Sequence, residues 1–253
     1  MEITHLVRTL GRNDAKLIGR DRFLIMIFLF AFYIAAALRY GLPWLNTYLI
    51  DNGVLPSETI TQSLADFYPV IVVYMAVFQG AMIAGVLFGF MLLDEKDDNT
   101  IKAMLVTPIP LHQYVTYRVV MPMVVGFFII VGMVLFINQV LIPLWHLLLI
   151  AAGASLVGPI SALFFAIFAE NKVQGFAVAK FAGLFGYIIV FGWFVAEPWQ
   201  WLFGLFPPFW ISKAYWMVLD GNAWWWVALI LGIVLQVVLL LWMVRRFNKV
   251  AYR

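Results

Sequence analysis

The densest set of charged, hydroxyl and turn-forming side chains in this sequence is one segment, Asp94 to Arg118. Asp94, Glu95, Asp97 and Asp98 place four carboxylates, with Lys96 among them, directly after a long apolar run. Ile101, Met104, Leu105 and Pro108 then share one face of a short amphipathic helix. Pro108 and Pro110 stop that helix, and Tyr114 to Arg118 leads into the next apolar run. A solvated connection needs neither the apolar face nor the two prolines. The chemistry open to this set is recognition rather than bond-making: a stiff, exposed apolar face docks on another protein.

Catalytic chemistry finds little support elsewhere. The sequence has no GxxxxGK[ST] loop, and none of its Lys residues is followed by Ser or Thr, so it carries no phosphate-binding loop of its own. His5, His112 and His146 fall in three separate segments, and no shared metal site is expected. Gly153-Ala154-Ser155-Leu156 has the look of an intramembrane serine-protease motif, but no His lies at matching depth on another helix to act as base. The chain has no Cys, which removes disulfides, thiolate nucleophiles and thiolate metal sites.

The elements that must position the segment are membrane spans. The 253 residues are 65% hydrophobic and 11% charged, where a soluble domain is roughly half apolar and a quarter charged. The excess apolar surface requires lipid. Phe23–Leu38 is free of charge, and Arg39 is expected to snorkel and lengthen it. Phe67–Leu93 is the second span. Val119–Ala169, 51 residues without Asp, Glu, Lys or Arg, holds two helices with a break at Ile142-Pro143-Leu144-Trp145-His146. Val173–Ala196 and Ala223–Val244 complete six, with Lys180 snorkelling from the fifth.

Charge gives orientation. Of 16 Lys and Arg, 14 fall in the leader, the second and fourth connections and the tail; Arg39 and Lys213 alone fall on the other side. The positive-inside rule then puts both termini in the cytoplasm. Tryptophans such as Trp44, Trp145, Trp193, Trp199 and Trp224 gather at the outer ends, as an interfacial aromatic belt does. The basic pI thus marks membrane orientation rather than nucleic-acid binding. No cleavable signal peptide is expected, because a charged leader precedes the first apolar run and Arg39 follows it.

The fold class is therefore all-α and membrane-embedded, a single transmembrane domain over residues 1–253. Residues 1–22 form an amphipathic interfacial helix, with Ile3, Leu6, Val7, Leu10, Leu17 and Ile18 at helical spacing and Arg8, Arg12 and Lys16 in a basic stripe. This helix either anchors to the inner leaflet or docks a partner by its polar face. Residues 197–213 hold 15 uncharged residues between Glu197 and Lys213, too few to span twice. Gly204, Phe206, Pro207 and Pro208 mark its bend, and it should dip into the outer leaflet and return, as a plug or as an outer gate. Gln79 and Gln236 are the strongly polar groups at span centres, where they serve helix packing or line a path. Ala81, Gly85 and Gly89 share one helix face, and Gly175, Ala179 and Gly183 another, each for close packing within the chain. No acid is buried at midplane to couple an ion gradient.

The central segment resembles the signature of ATP-binding-cassette export permeases of the type-2 class. The resemblance rests on Glu95 ending the second helix, Thr100 five residues on, the short helix, Thr107-Pro108, then Tyr114 and Arg118 entering the third helix. Asn99 stands where Gly is common, and Lys102 where an acid is common. The layout of leader, six spans and outer hairpin is also similar, and the aromatic hairpin resembles export permeases of the fluoroquinolone type. The resemblance implies a transport subunit without its own ATPase site. ATP and Mg would sit on a separate ATPase subunit, coupled through Glu95, Thr100, Met104, Leu105 and Pro108. It further implies a homodimer, or pairing with a related permease, in a prokaryotic plasma (inner) membrane, moving a small amphipathic or hydrophobic compound outward. The other class open to the residues is a non-transport polytopic membrane protein, either a structural subunit or an intramembrane enzyme.

The charge pattern makes a topological prediction. Single cysteines introduced at Glu58 and Asp220 should react with a membrane-impermeant thiol reagent from outside, and one at Lys96 only after the membrane is opened. Labelling of position 58 solely from the cytoplasm would overturn the orientation.

Overall fold

The computed structural model describes residues 3–52, 63–98 and 111–251, with side chains from Leu10 to Phe247 inside those ranges except at Leu111. The described residues are helical, without strands. Helix α1, Ile3–Arg20, is the leader. Six helices are long and apolar enough to cross a membrane: α2 (Arg22–Asp51), α3 (Leu64–Asp97), α4 (Leu111–Ile137), α5 (Leu144–Phe168), α6 (Lys172–Phe194) and α8 (Trp225–Ala251). Between the last two lie a 3₁₀ turn, Trp199–Leu205, and helix α7, Pro207–Leu219.

Local chemistry sets the boundaries. Asp21 separates α1 from α2, its carboxylate accepting from the Phe23 amide at 2.8 Å. Ser63 and Asp66 form a capping box at the start of α3. Asn138, at φ 55°, ends α4 in the left-handed conformation that Asn tolerates. Asn171 caps α6 by accepting from the Gln174 amide. Gly221, at φ 68°, turns the chain from α7 into α8.

The first span differs from the expectation. The helix does not end near Leu38 but runs through Arg39 to Asp51, 30 residues or roughly 45 Å. It passes Arg39 in a π-helical turn, Ala37–Gly41. Pro43 offers no N–H to the Arg39 carbonyl, and Gln139 Nε2 donates to that oxygen at 3.3 Å instead. The Arg39 guanidinium does not reach away from the bundle. It donates to the Phe136 carbonyl at 2.5 Å and lies over the Phe136 ring, tying α2 to the end of α4.

α3 and α5 form the centre, with 78% and 72% of their most apolar stretches buried, against 17%, 22% and 28% for α2, α6 and α8. The outer helices therefore present their apolar faces to lipid or to another chain. Glycine permits the central contact. A Cβ on Gly85 would lie 2.5 Å from Ser161 Cβ and 2.6 Å from the Gly158 carbonyl. The face of α3 that carries Ala81, Gly85 and Gly89 thus packs within the chain. The face on α6 divides: Gly175 presses on Leu93 and Phe90, whereas Gly183 has nothing within 4 Å.

Candidate functional site

The charged residues that the fold buries most deeply, Arg118 and Asp14, meet Glu95 where α1, α3 and α4 converge. Tyr114, Tyr117 and Arg118 stand at i, i+3 and i+4 on one face of α4. Glu95 continues the buried face of α3, one turn beyond Met91 and Leu92. Asp14 lies one turn after buried Leu10 on the inner face of α1. Arg118, only 1% exposed, holds all three elements. Its NH1 donates to Asp14 Oδ2 at 3.0 Å and its NH2 to Glu95 Oε1. Each carboxylate takes a second donor. Tyr117 OH donates to Asp14 Oδ2 at 2.6 Å, and Tyr114 OH donates to Glu95 Oε2. The guanidinium also lies over both tyrosine rings, at 5.4 and 5.5 Å.

This arrangement satisfies a buried charge with the one side chain whose planar fork can serve two carboxylates at once. What it does is mechanical: the leader, the end of α3 and the start of α4 cannot separate without exposing an unpaired buried charge. A second, wetter set borders it. Lys172 Nζ pairs with Asp94 at 2.8 Å and approaches Asp21 at 3.7 Å. Lys96 Nζ donates to the Ala169 carbonyl at 3.0 Å, joining α3 to the end of α5. These ammonium groups are partly solvated and contribute far less each.

The two networks flank residues 99–110. Thr100, Met104, Leu105 and Pro108, with the short helix expected over them, lie outside the described residues, as does the Arg8 side chain. Arg12 and Lys16 are exposed on the face of α1 turned from the bundle. The leader's inner face is spent on protein contacts at Leu10 and Asp14 as well as on any lipid contact. Asp14 and Tyr117 escaped the sequence reading. The signal was present: Asp14 sits four residues after Leu10 and four before Ile18, an acid on an apolar stripe, which requires a partner.

At the opposite end, the hairpin before α8 folds back against the bundle. Lys213 Nζ pairs with Glu197 and reaches Gln200 Oε1 at 3.0 Å, clasping the two arms. Gly204 allows the crossing, since an added Cβ would lie 2.5 Å from the Trp210 ring, whose indole N–H donates to the Gly204 carbonyl at 3.0 Å. At the bend, the Phe206 ring contacts Phe78 of α3 and Phe185 of α6, at centroid distances of 5.7 and 6.5 Å. Pro207 and Pro208 begin α7, whose far end is tied by Tyr215 OH to the Val140 carbonyl at 2.6 Å and by the Trp216 indole to the Pro69 carbonyl at 3.3 Å. Beneath the bend lies an apolar cavity of about 370 Å³, walled by Phe206, Pro208, Phe164, Phe168 and Trp242.

The two glutamines behave differently. Gln236, fully buried on α8, donates to the Gly153 carbonyl of α5 at 3.4 Å and so bridges two helices. Gln79 donates to Tyr74 OH at 2.9 Å within its own helix and lines a groove between α2, α3 and α6. Among the described residues, no group of His and carboxylates is placed to hold a metal ion.

The model of a family described as Rv2686c-like, fluoroquinolones export permease protein Rv2686c-like, matches residues 14–244, a stretch that takes in Asp14, Glu95 and Arg118. Two relatives from Mycobacterium tuberculosis, fluoroquinolones export permease protein MT2760 of strain CDC 1551 / Oshkosh and fluoroquinolones export permease protein Rv2686c of strain ATCC 25618 / H37Rv, are similar to this chain. Each is 29% identical over 218 residues, covering 85% of this chain and 83% of the relative.

The geometry of the hub predicts its mutational signature. Arg118→Met leaves two carboxylates buried without their cation and should destabilise the fold by about 3–5 kcal/mol. Adding Asp14→Asn to Arg118→Met should recover part of that loss. Thermal unfolding of the four members of this double-mutant cycle in detergent measures the coupling, and strict additivity would show that the pair is not formed.

Proposed function

We propose that this chain, which belongs to the Rv2686c-like family of fluoroquinolones export permeases, is the membrane-spanning subunit of an ATP-binding-cassette exporter. It is an integral membrane protein with six helices of spanning length and composition. The cargo is a small amphipathic or hydrophobic compound, with fluoroquinolones the first class to test, because its relatives are named for exporting them. Six helices are half of a twelve-helix path, so two copies, or one copy and a related permease, pair around it.

The observation that carries the reading is the Arg118 hub beside residues 99–110. A motor protein gripping that segment needs a rigid lever to work on. Glu95 stands four residues before the segment and Tyr114 four after it, and both are bound to Arg118, with the leader held through Asp14. In this reading Met104 and Leu105 bury their side chains in the ATPase subunit, Thr100 and Pro108 shape the short helix, and Glu95 positions it. The exposed Arg12 and Lys16, with Arg8, face the inner-leaflet phosphates and the motor. ATP and Mg act on the partner, and closure of two motors moves loop, leader and helix ends together. Both termini and the hub are cytoplasmic, which the distribution of 14 of the 16 basic residues supports.

Met104→Asp combined with Leu105→Asp should leave insertion and the Arg118 hub intact while removing apolar anchors that carry most of such an interface. The expected result is loss of fluoroquinolone efflux and of co-purifying ATPase. Wild-type efflux from an assembled complex would overturn the coupling assignment.

The hairpin is proposed as the outer gate, re-entering the membrane from outside with Gly204, Phe206, Pro207 and Pro208 at its bend. Its support is that the Phe206 side chain meets α3 and α6 through aromatic contacts, while the charged clasp of Lys213 lies in the arms. Spin labels at Phe206, one on each copy, should change separation when nucleotide is trapped. Identical distance distributions would leave the hairpin as a plug.

A further inference from the structure

α6 touches α3 closely at two glycines, and between them it is open at Gly183. At Gly175 an added Cβ would lie 2.7 Å from Leu93, and at Gly186 it would lie 2.3 Å from Phe78. Eleven residues, roughly 16 Å of helix, separate the two. In that interval lie two small residues, Ala179 and Gly183, and a Cβ on Gly183 would meet nothing within 4 Å, so the wall is open there. α2 stands opposite. The result is an open groove of about 460 Å³, floored by Met82 and Ile83 of α3 and flanked by Met26 and Phe30 of α2. Two polar residues line it, Lys180, which is exposed, and Gln79, which is half-buried.

Lys180 is eight residues beyond Lys172, so it stands about 12 Å along α6 from the charged end of the bundle. Lys172 has Asp94 and Asp21; Lys180 has no carboxylate partner among the described residues. An ammonium at that depth beside an apolar groove is stabilised by an anion that enters the groove with it. Gln79 commits its Nε2 to Tyr74 OH, which leaves its carbonyl oxygen to accept a donor. We propose that the groove between α2, α3 and α6 is the binding site for an amphipathic anion, a flat apolar ring system bearing a carboxylate, whose charge pairs with Lys180. The assignment rests on the export reading above and gives it a recognition element. Fluoroquinolones carry such a carboxylate on a planar bicycle. The groove begins at Phe23, next to the charged helix ends, so a ligand dissolved in the adjoining leaflet enters it without crossing the bundle.

The full chain in nanodiscs of neutral phosphatidylcholine tests this with two probes, norfloxacin and its methyl ester, read by equilibrium dialysis. A hydrogen-bonded charge pair supports about tenfold or more in affinity. Lys180→Gln should therefore weaken norfloxacin binding by about that factor, Lys180→Arg should restore it, and the ester should be nearly indifferent to both. Gly183→Leu, which fills the groove without touching the charge, should weaken both probes. If Lys180→Gln weakens acid and ester alike, or leaves the acid unchanged and alters only stability in phosphatidylglycerol nanodiscs, the lysine serves packing or a lipid headgroup and the proposal falls. Binding of both probes indifferent to positions 180 and 183 overturns the groove and leaves the export reading standing. Binding of neither probe, with no norfloxacin efflux in cells, overturns that reading and this one together.

Discussion

Everything at the charged end of this protein depends on one guanidinium. Arg118 is buried at a depth where an isolated cation would be far too costly, and it persists because two carboxylates and two phenols converge on it. Those partners come from three elements distant in sequence. The pair with Asp14 spans 104 positions and the pair with Glu95 spans 23. The hub is therefore a statement about relative position. It sets where the leader lies, how α3 ends and how α4 begins, and through these it sets the two anchor points of residues 99–110. A buried ion network of this kind adds little net stability over an apolar core, but its loss on one side is severe. That asymmetry suits an element that must move as one body.

The opposite end is built on different physics. There the hairpin is held by aromatic surface, with rings meeting edge to face or in tilted contact at Phe206, Phe78, Phe209, Trp210 and Trp216. Tyr215, Trp216 and Trp210 donate to backbone carbonyls, and the Lys213 clasp on Glu197 and Gln200 joins the two arms. Aromatic contacts are strong in area but tolerant in angle, and the Lys213–Glu197 pair lies within the hairpin itself, so the bend can shift while that pair stays together. A rigid polar end and a compliant aromatic end are what a lever and a gate respectively require, and the proposed export cycle uses them in that order.

The helix faces divide along the same line. α3 and α5 are locked by glycines that bring backbones together, and they form the frame. α2, α6 and α8 keep broad apolar faces outward. Between Gly175 and Gly186 of α6 the fold opens a groove with Lys180 on its lining. The proposed carboxylate site thus follows from the spacing of two close contacts and the small residues between them.

The sequence by itself determined the all-α membrane class and the number of spans. Membrane insertion is additive over a local window, and a run of about 20 apolar residues is legible without knowing its neighbours. Comparison supports the resemblance to export permeases of the fluoroquinolone type, which rests on the aromatic hairpin, itself a local pattern. The fold alone decided three other things. Asp14 and Tyr117 joined the hub because the leader folds back on α4, a pairing that no window contains. α2 continued past Arg39 because Gln139 and the Phe136 carbonyl, about 100 residues away, meet the needs of a π-helical turn. And the small residues of α6 became a packing surface at one end and a groove wall at the other, because the angle between helices belongs to the packed bundle and not to any one helix.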